Sequence, residues 1–220
     1  MASIFDILGP VMVGPSSSHT AGAARIGMIA RQLFGRQPER VTVYLHGSFA
    51  ATGKGHGTDK ALIAGLLGMK PDDMRIPDSF RIAREEGMEF TISARDIREA
   101  HPNTAQIVME AEGLDTMKIQ AYSIGGGRIR VCKVDGIDVD FSGESNTLMI
   151  RNIDEPGRIT DITGALSRAM VNIATMQVFR EKRGGSAIMV VETDQVVPEE
   201  TVDELRSKEG IIRVKFLHAN

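Results

Sequence analysis

Leu148-Met149-Ile150-Arg151-Asn152-Ile153-Asp154-Glu155-Pro156-Gly157 reads as a strand, a turn and a helix start, and it sets the rhythm of the last third of the chain. Leu148 to Ile153 supplies the strand. Gly157 to Met170 carries Ile159, Ile162, Thr163, Leu166, Ala169 and Met170 at helical spacing. Ile173 to Lys182 and Ser186 to Thr193 read as strands joined by Arg183-Gly184-Gly185. Pro198-Glu199-Glu200 opens a second helix with the proline and acidic first turn such a start favours; Gly210 ends it, and Ile211 to Leu217 is a last strand. The order is βαββαβ, a ferredoxin-like split βαβ arrangement with both helices on one face. The short, small and polar Phe141-Ser142-Gly143-Glu144-Ser145-Asn146 marks a boundary before it, dividing the chain into 1–143 and 147–220.

Upstream, chemistry gathers at Gly14-Pro15-Ser16-Ser17-Ser18-His19-Thr20-Ala21-Gly22. A helix from about Ala21 to Phe34, stopped by Gly35, comes directly after this stretch. Hydroxyls, an imidazole and unpaired backbone N–H groups therefore meet at a helix N-terminus, where the macrodipole favours an anion. The order suits a carboxylate or phosphate seat with a titratable group beside it. It equally suits an ordinary Ser/Thr cap with spare hydroxyls in water.

Arg40 to His46 alternates as a strand with one polar side. Gly47-Ser48-Phe49-Ala50-Ala51-Thr52-Gly53-Lys54-Gly55-His56-Gly57-Thr58-Asp59 then reads as a glycine-rich loop leading into an apolar helix. It is not a nucleotide-binding P-loop, because five residues separate Gly47 from Gly53-Lys54 and Gly55 comes after the lysine. Lys54, His56 and Thr58 at a helix start make a second anion contact or, on the plainer reading, a surface loop. Pro71 to Gly87 is a short helix reached through a loop, and Met88 to Ser93 a strand. His101-Pro102-Asn103-Thr104 is a turn in which proline holds His101 extended. Ser123-Ile124-Gly125-Gly126-Gly127-Arg128 implies a bulge or a close backbone approach, and Val134-Asp135-Gly136-Ile137 is a hairpin signal. This first domain is mixed α/β, with helices early and an antiparallel sheet late, and the whole chain is α+β.

The 220 residues are 42% hydrophobic and 25% charged with a net charge of -3, a globular composition without a basic stripe for nucleic acid. No apolar run is long enough for a membrane span, and Met1-Ala2-Ser3-Ile4-Phe5-Asp6 carries no secretion signal, so a cytoplasmic protein is expected. Cys132, the sole cysteine, excludes an intrachain disulfide and cannot by itself hold a metal cluster.

The βαββαβ order, Asp154-Glu155-Pro156-Gly157 and Asn172-Ile173 resemble the ACT domain, a small amino-acid-sensing module. By that resemblance Asn152, Asp154, Gly157 and Asn172 lie near an effector at the interface of paired domains. Gly14 to Thr20, Gly53 to Asp59, His101 to Thr104 and Ser123 to Gly127, in that order, resemble the β subunit of the iron–sulfur-dependent L-serine dehydratases. The first domain is then similar to the allosteric substrate-binding domain of some phosphoglycerate dehydrogenases. The resemblance implies conversion of L-serine to pyruvate and ammonia without pyridoxal phosphate. It also implies a 4Fe-4S cluster ligated by a separate α subunit, with no metal on this chain, and a homo-oligomer formed through the ACT-like domain. Under it, Ser16, Ser17, Ser18 and Thr20 bind the substrate carboxylate and His19 and His101 supply acid–base and positioning roles. Lys54, His56, Thr58 and Asn103 complete the seat, while His46 and His218 are structural. The rival readings are a non-catalytic amino-acid sensor, which needs no base, and an assembly scaffold, which needs large apolar surface.

Overall fold

The computed structural model describes residues 11–219. The stretch Met1 to Asp6, where a targeting signal would stand, lies outside them. The chain forms two compact units, residues 1–135 and 136–220, and the division falls at the Asp135-Gly136 turn. Phe141 to Asn146 lies inside the second unit.

In the first unit, Ser17–Ala21 winds as one π-helical turn and runs on into α1 (Gly22–Phe34). Gly35, at φ 98°, closes α1 in the expected left-handed conformation with its N–H on the Arg31 carbonyl. Strand β1 (Arg40–Leu45) alternates as predicted, with Val41, Val43 and Leu45 buried. The loop expected after it is not a loop. Gly47 to Asp59 is helical, as α2 (Gly47–His56) and the start of α3 (Thr58–Leu66), divided at Gly57 with φ 67°. Glycine disfavours a helix by about 1 kcal/mol per residue relative to alanine. Phe49, fully buried in the first turn of α2, offsets part of that with about 1.5–3 kcal/mol of burial.

After α4 (Ser79–Glu85) come β2 (Glu89–Ala94), β3 (Thr104–Glu110), β4 (Met117–Gly125) and β5 (Arg128–Val134). The strands lie in the order β2-β1-β3-β4-β5. The late part is antiparallel as expected, whereas β1 and β2 run parallel and are linked through the helices between them. Gly125, Gly126 and Gly127 all take positive φ where β4 turns into β5, and the register slips between Ser123 and Gly125. Bulge and turn thus coincide at the glycine run.

Helices α1 and α3 touch through bare backbone. A Cβ on Gly65 would fall on the carbonyl oxygen of Ala24, and one on Gly27 on the carbonyl oxygen of Leu62. Gly65, which in the sequence only interrupts an apolar run, is thus a contact point that brings the two axes close.

The second unit opens with β6 (Ile137–Phe141), after a turn in which Asp135 (φ 50°) and Gly136 (φ 86°) take the conformations a two-residue hairpin requires. Then come β7 (Asn146–Ile153), α5 (Arg158–Arg168), β8 (Ile173–Arg180), β9 (Ser186–Thr193), α6 (Glu199–Arg206) and β10 (Ile211–Leu217), the βαββαβ order read from the sequence. These strands form a sheet in the order β10-β7-β9-β8. Leu148, Ile150, Met189 and Val191 from the sheet pack with Ile162, Leu166, Val202 and Leu205 from the helices. Strand β8 lies at the sheet edge with Met176 and Val178 both exposed.

Candidate active site

The site forms where the π turn of the first unit meets the start of α2. Ser16 caps the turn: its Oγ accepts from the His19 backbone N–H at 3.2 Å, and its carbonyl accepts from Thr20 N–H at 2.8 Å. Both partners come from inside the turn, so the His19 side chain leaves the helix at its first residues and points across to α2. Ser17 contributes its carbonyl, which takes the Gly22 N–H.

The His19 ring has a hydroxyl at each nitrogen. Nδ1 lies 3.0 Å from Ser18 Oγ and 3.4 Å from Ser16 Oγ, and those two oxygens are 3.3 Å apart. Nε2 lies 3.0 Å from Ser48 Oγ, in the first turn of α2. The ring meets His56 edge-on with centroids 5.1 Å apart, and buried Phe49 at 5.3 Å. Burial, and then the nearby His56, hold the His19 pKa below the ordinary histidine value, with the Ser48 backbone opposing. His19 is therefore a neutral imidazole over a wider pH range than a free histidine, which is the form a general base needs.

Thr20 is buried and ties the π turn to the C-terminal end of α2, its Oγ1 donating to the His56 carbonyl at 3.0 Å. His56 Nδ1 and the hydroxyl of fully buried Thr58 have no hydrogen-bond partner. Both atoms are buried beside the histidine pair, with hydrogen-bonding capacity left unmet. Lys54 lies in α2, but its side chain is outside what the structure describes.

The His101-Pro102-Asn103 turn abuts the same helix start. Gly47, at φ 55°, has no room for a side chain, since a Cβ there would approach the Pro102 carbonyl oxygen to 2.6 Å. Asn103 gives its carbonyl to Ser123 N–H, and its own N–H donates to His101 Nδ1 at 3.1 Å. The exposed His101 ring stacks on Tyr122 with centroids 5.0 Å apart. The structure thus brings Ser16, Ser18, His19, Thr20 and His56 together and sets His101 on the adjacent turn, without a hydrogen bond or ring contact to His19 among the described residues. His46 lies elsewhere: its Nδ1 accepts from Ile97 N–H at 3.1 Å and is 3.3 Å from Asp96 Oδ1. Sequence reasoning passed over Ser48 and Phe49, because the segment that holds them reads as a loop; a serine just after a strand end at a helix start is the signal that finds Ser48.

In the second unit, Asn152 is buried with Nδ2 on the Ile153 carbonyl and Oδ1 unpartnered. Asp154 accepts from Gly184 N–H at 3.1 Å and from Arg180 at 3.3 Å, and Gly157 begins α5 at φ 96°. Asn172 is not beside them. It bonds Asp194 and Gln195 at the other end of β8 and β9, where Ile173 pairs Thr193, whereas Asn152 pairs Ala187.

Among the described residues no group of three or more His, Cys, Asp or Glu side chains is placed to hold a metal ion, and Cys132 donates its thiol to the Gln120 carbonyl at 3.3 Å. The donor set among the described residues does not fit an iron–sulfur cluster. Nor is any helix among these residues long and apolar enough to cross a membrane.

A mixed α/β unit with a histidine–hydroxyl cluster, succeeded by a βαββαβ unit, defines a two-part α+β protein. Residues 3–133 match the serine dehydratase beta chain family, and residues 146–210 match the ACT domain. The chain is 43% identical over 212 residues, 96% of each chain, to a protein described as probable L-serine dehydratase, beta chain, of Bacillus subtilis (strain 168). It is 34% identical over 216 residues to the L-serine dehydratase, beta chain, of Peptoniphilus asaccharolyticus, covering 98% of this chain and 97% of that one. Similarity to a D-3-phosphoglycerate dehydrogenase of Bacillus subtilis (strain 168) is lower, 26% over 196 residues, and spans 89% of this chain but 37% of that protein. This chain belongs to the serine dehydratase beta chain family.

Proposed function

We propose that this chain is the β subunit of an L-serine ammonia-lyase that converts L-serine to pyruvate and ammonia together with a separate α subunit. The observation that carries this reading is the His19 ring, set between the Ser18 and Ser48 hydroxyls at a helix start, with its pKa lowered by burial and by His56. A carboxylate is at home among Ser16, Ser18 and the first-turn N–H groups, where the helix dipole favours negative charge, while Thr20, whose hydroxyl is given to the His56 carbonyl, supports the turn from beneath. His56 Nδ1 and Thr58 Oγ1 are open for a further polar contact, with Lys54 and Asn103 completing the seat. His19 is then the group placed to take a proton from Cα, and His101, on the turn beside Gly47, positions the substrate. A 4Fe-4S cluster belongs, on this reading, to the α subunit, in keeping with the single cysteine of this chain.

The ACT domain completes the proposal. The doubly exposed edge of β8 suits pairing with a second copy, and pairing accounts for a surface with Met176 39% and Val178 45% exposed. An effector would then lie against Asn152, Asp154 and Gly157 of one copy, with Asn172 supplied from the other.

The test is serine dehydration measured anaerobically with iron and sulfide, first by this chain alone and then mixed with a candidate α subunit. Pyruvate from the mixture alone, with the cluster's absorbance on the α subunit, supports the shared site. A fully reconstituted mixture that binds serine and releases no pyruvate overturns it in favour of an amino-acid sensor.

A further inference from the structure

The geometry points to β2, the free edge of the first unit's sheet, as a surface where a second copy of this chain adds its own β2 antiparallel, about a two-fold axis at Ile92. This contact is separate from any pairing through β8.

The backbone supplies the means. β2 lies last in the strand order, and its register with β1 is unbroken from Glu89 to Ala94. Glu89 and Arg95 donate their N–H groups to the Glu39 and Leu45 carbonyls. In a parallel ladder every second residue faces the neighbour, so Thr91 and Ser93 turn to β1 as well. The N–H and C=O groups of Phe90, Ile92 and Ala94 therefore point away from β1, with no backbone partner among the described residues. Proline, lysine and bulges commonly guard such an edge, and Glu89 to Arg95 has none of them.

Side chains choose the register. An axis at Ile92 sets Ile92 against the partner's Ile92 and Phe90 against the partner's Ala94, and each such pair exchanges two hydrogen bonds through the groups left free. On the other face Thr91 meets the partner's Ser93, and Glu89 meets the partner's Arg95. A large side chain thus faces a small one, a hydroxyl a hydroxyl, and an anion a cation. Neither charge has an ion-pair partner among the described residues. Arg40, beside Glu89 on β1, is taken by Glu110 at 3.0 Å, and Arg95 lies over the Tyr44 ring with Nη1 3.4 Å from Gln106 Oε1. A slip of two residues either way sets Glu89 against Ser93 or Ile97 and loses the charge match. A slip of one turns the apolar side chains to the wrong face.

A groove of about 450 Å³ opens beside β2, lined by Leu45, Ala50, Gly53, Phe80 and Ile92, with Asp59 its one carboxylate. Phe90, Ile92 and Ala94 share the face of Val41, Val43 and Leu45, so the partner's Phe90 and Ile92 arrive on the side of this groove. Ala50 and Gly53 belong to α2, and the contact braces the helix that carries Ser48 and His56.

The test uses the full chain with Cys132→Ser, so that no native thiol competes. Thr91→Cys and Ser93→Cys are made separately, mixed and oxidised. In the proposed register these two positions form a non-hydrogen-bonded pair with Cα atoms about 4.5 Å apart, within disulfide reach. A disulfide between the two variants, with little within either alone, is the expected result. Thr91→Cys linking mainly to itself overturns the proposal, as does the absence of any link. Sedimentation over a concentration series, with Val178→Lys added to remove pairing through β8, then reads the charges. Glu89→Arg or Arg95→Glu alone should weaken self-association about tenfold, and the double exchange should restore it. Association that neither single variant changes also overturns the proposal. So does protection of the Phe90, Ile92 and Ala94 amides from hydrogen exchange that appears on adding a candidate α subunit and not on concentrating this chain.

Discussion

The two units solve the same packing problem with different materials. In the second, the core is an ordinary interdigitation of branched side chains: Leu148, Ile150, Met189 and Val191 meet Ile162, Leu166 and Leu205 between sheet and helices. Its surface charges pair with one another, as Arg168 does with Glu204 and Arg206 with Asp203. In the first, two helices touch backbone to backbone at Gly27 and Gly65. Side-chain packing tolerates rearrangement, while backbone contact fixes position. A site that must hold an imidazole between hydroxyls from two helices gains from the second kind, since a shift of about 1 Å there undoes the alignment.

The sharpest way to break the contrast is Gly65→Ala. The new methyl meets a carbonyl oxygen and cannot be accommodated by a rotamer change, so the helices must separate; we expect a loss of more than about 3 kcal/mol in denaturant unfolding despite alanine's better helix propensity. Leu166→Ala in the other core should cost about 3 kcal/mol through the lost burial and the cavity left behind. Equal tolerance of both changes would remove the distinction.

A finer test concerns charge. His56→Asn removes the facing titratable group, and the His19 pKa should rise towards the ordinary histidine value when tracked by NMR titration. The parent chain's linkage has the matching sign. The pKa of His19 is lower folded than unfolded, so the unfolded chain binds more protons between the two values and stability falls as the pH drops below about 6.5. His56→Asn should flatten that slope. The smallest effect is expected of Arg168→Ala, which breaks an exposed pair to Glu204 and should leave the thermal midpoint almost unmoved, with the small shift shrinking further as salt rises.

The same contrast governs how legible each unit was in the sequence. Side-chain periodicity writes itself into the chain, so Leu148 to Ile153, the helix through Ile162 and Leu166 and the last strand at Ile211 to Leu217 were readable with their order. Contacts made through glycine leave no periodicity. Gly47 to Asp59 therefore looks like a loop although it forms α2 and the start of α3, and Gly65 looks like an interruption. For the site, the run Ser16 to Thr20 announced itself, because several hydroxyls and a histidine at a helix start are visible locally. Ser48 was hidden for the reason α2 was, and the stacking of His101 on Tyr122 depends on a strand pairing that no local pattern encodes.

The hydroxyls on both sides of His19 carry one more consequence. A carboxylate partner would commit the ring to a charge in advance, whereas a hydroxyl gives or takes a hydrogen with equal ease and leaves the question to whatever arrives. An incoming anion then draws a proton from the solvent as it settles, so in mildly acidic solution the heat of binding should vary with the ionisation enthalpy of the buffer. On the proposed function, the His19 cluster would thus act as a small acid–base reservoir whose filling is set by its guest.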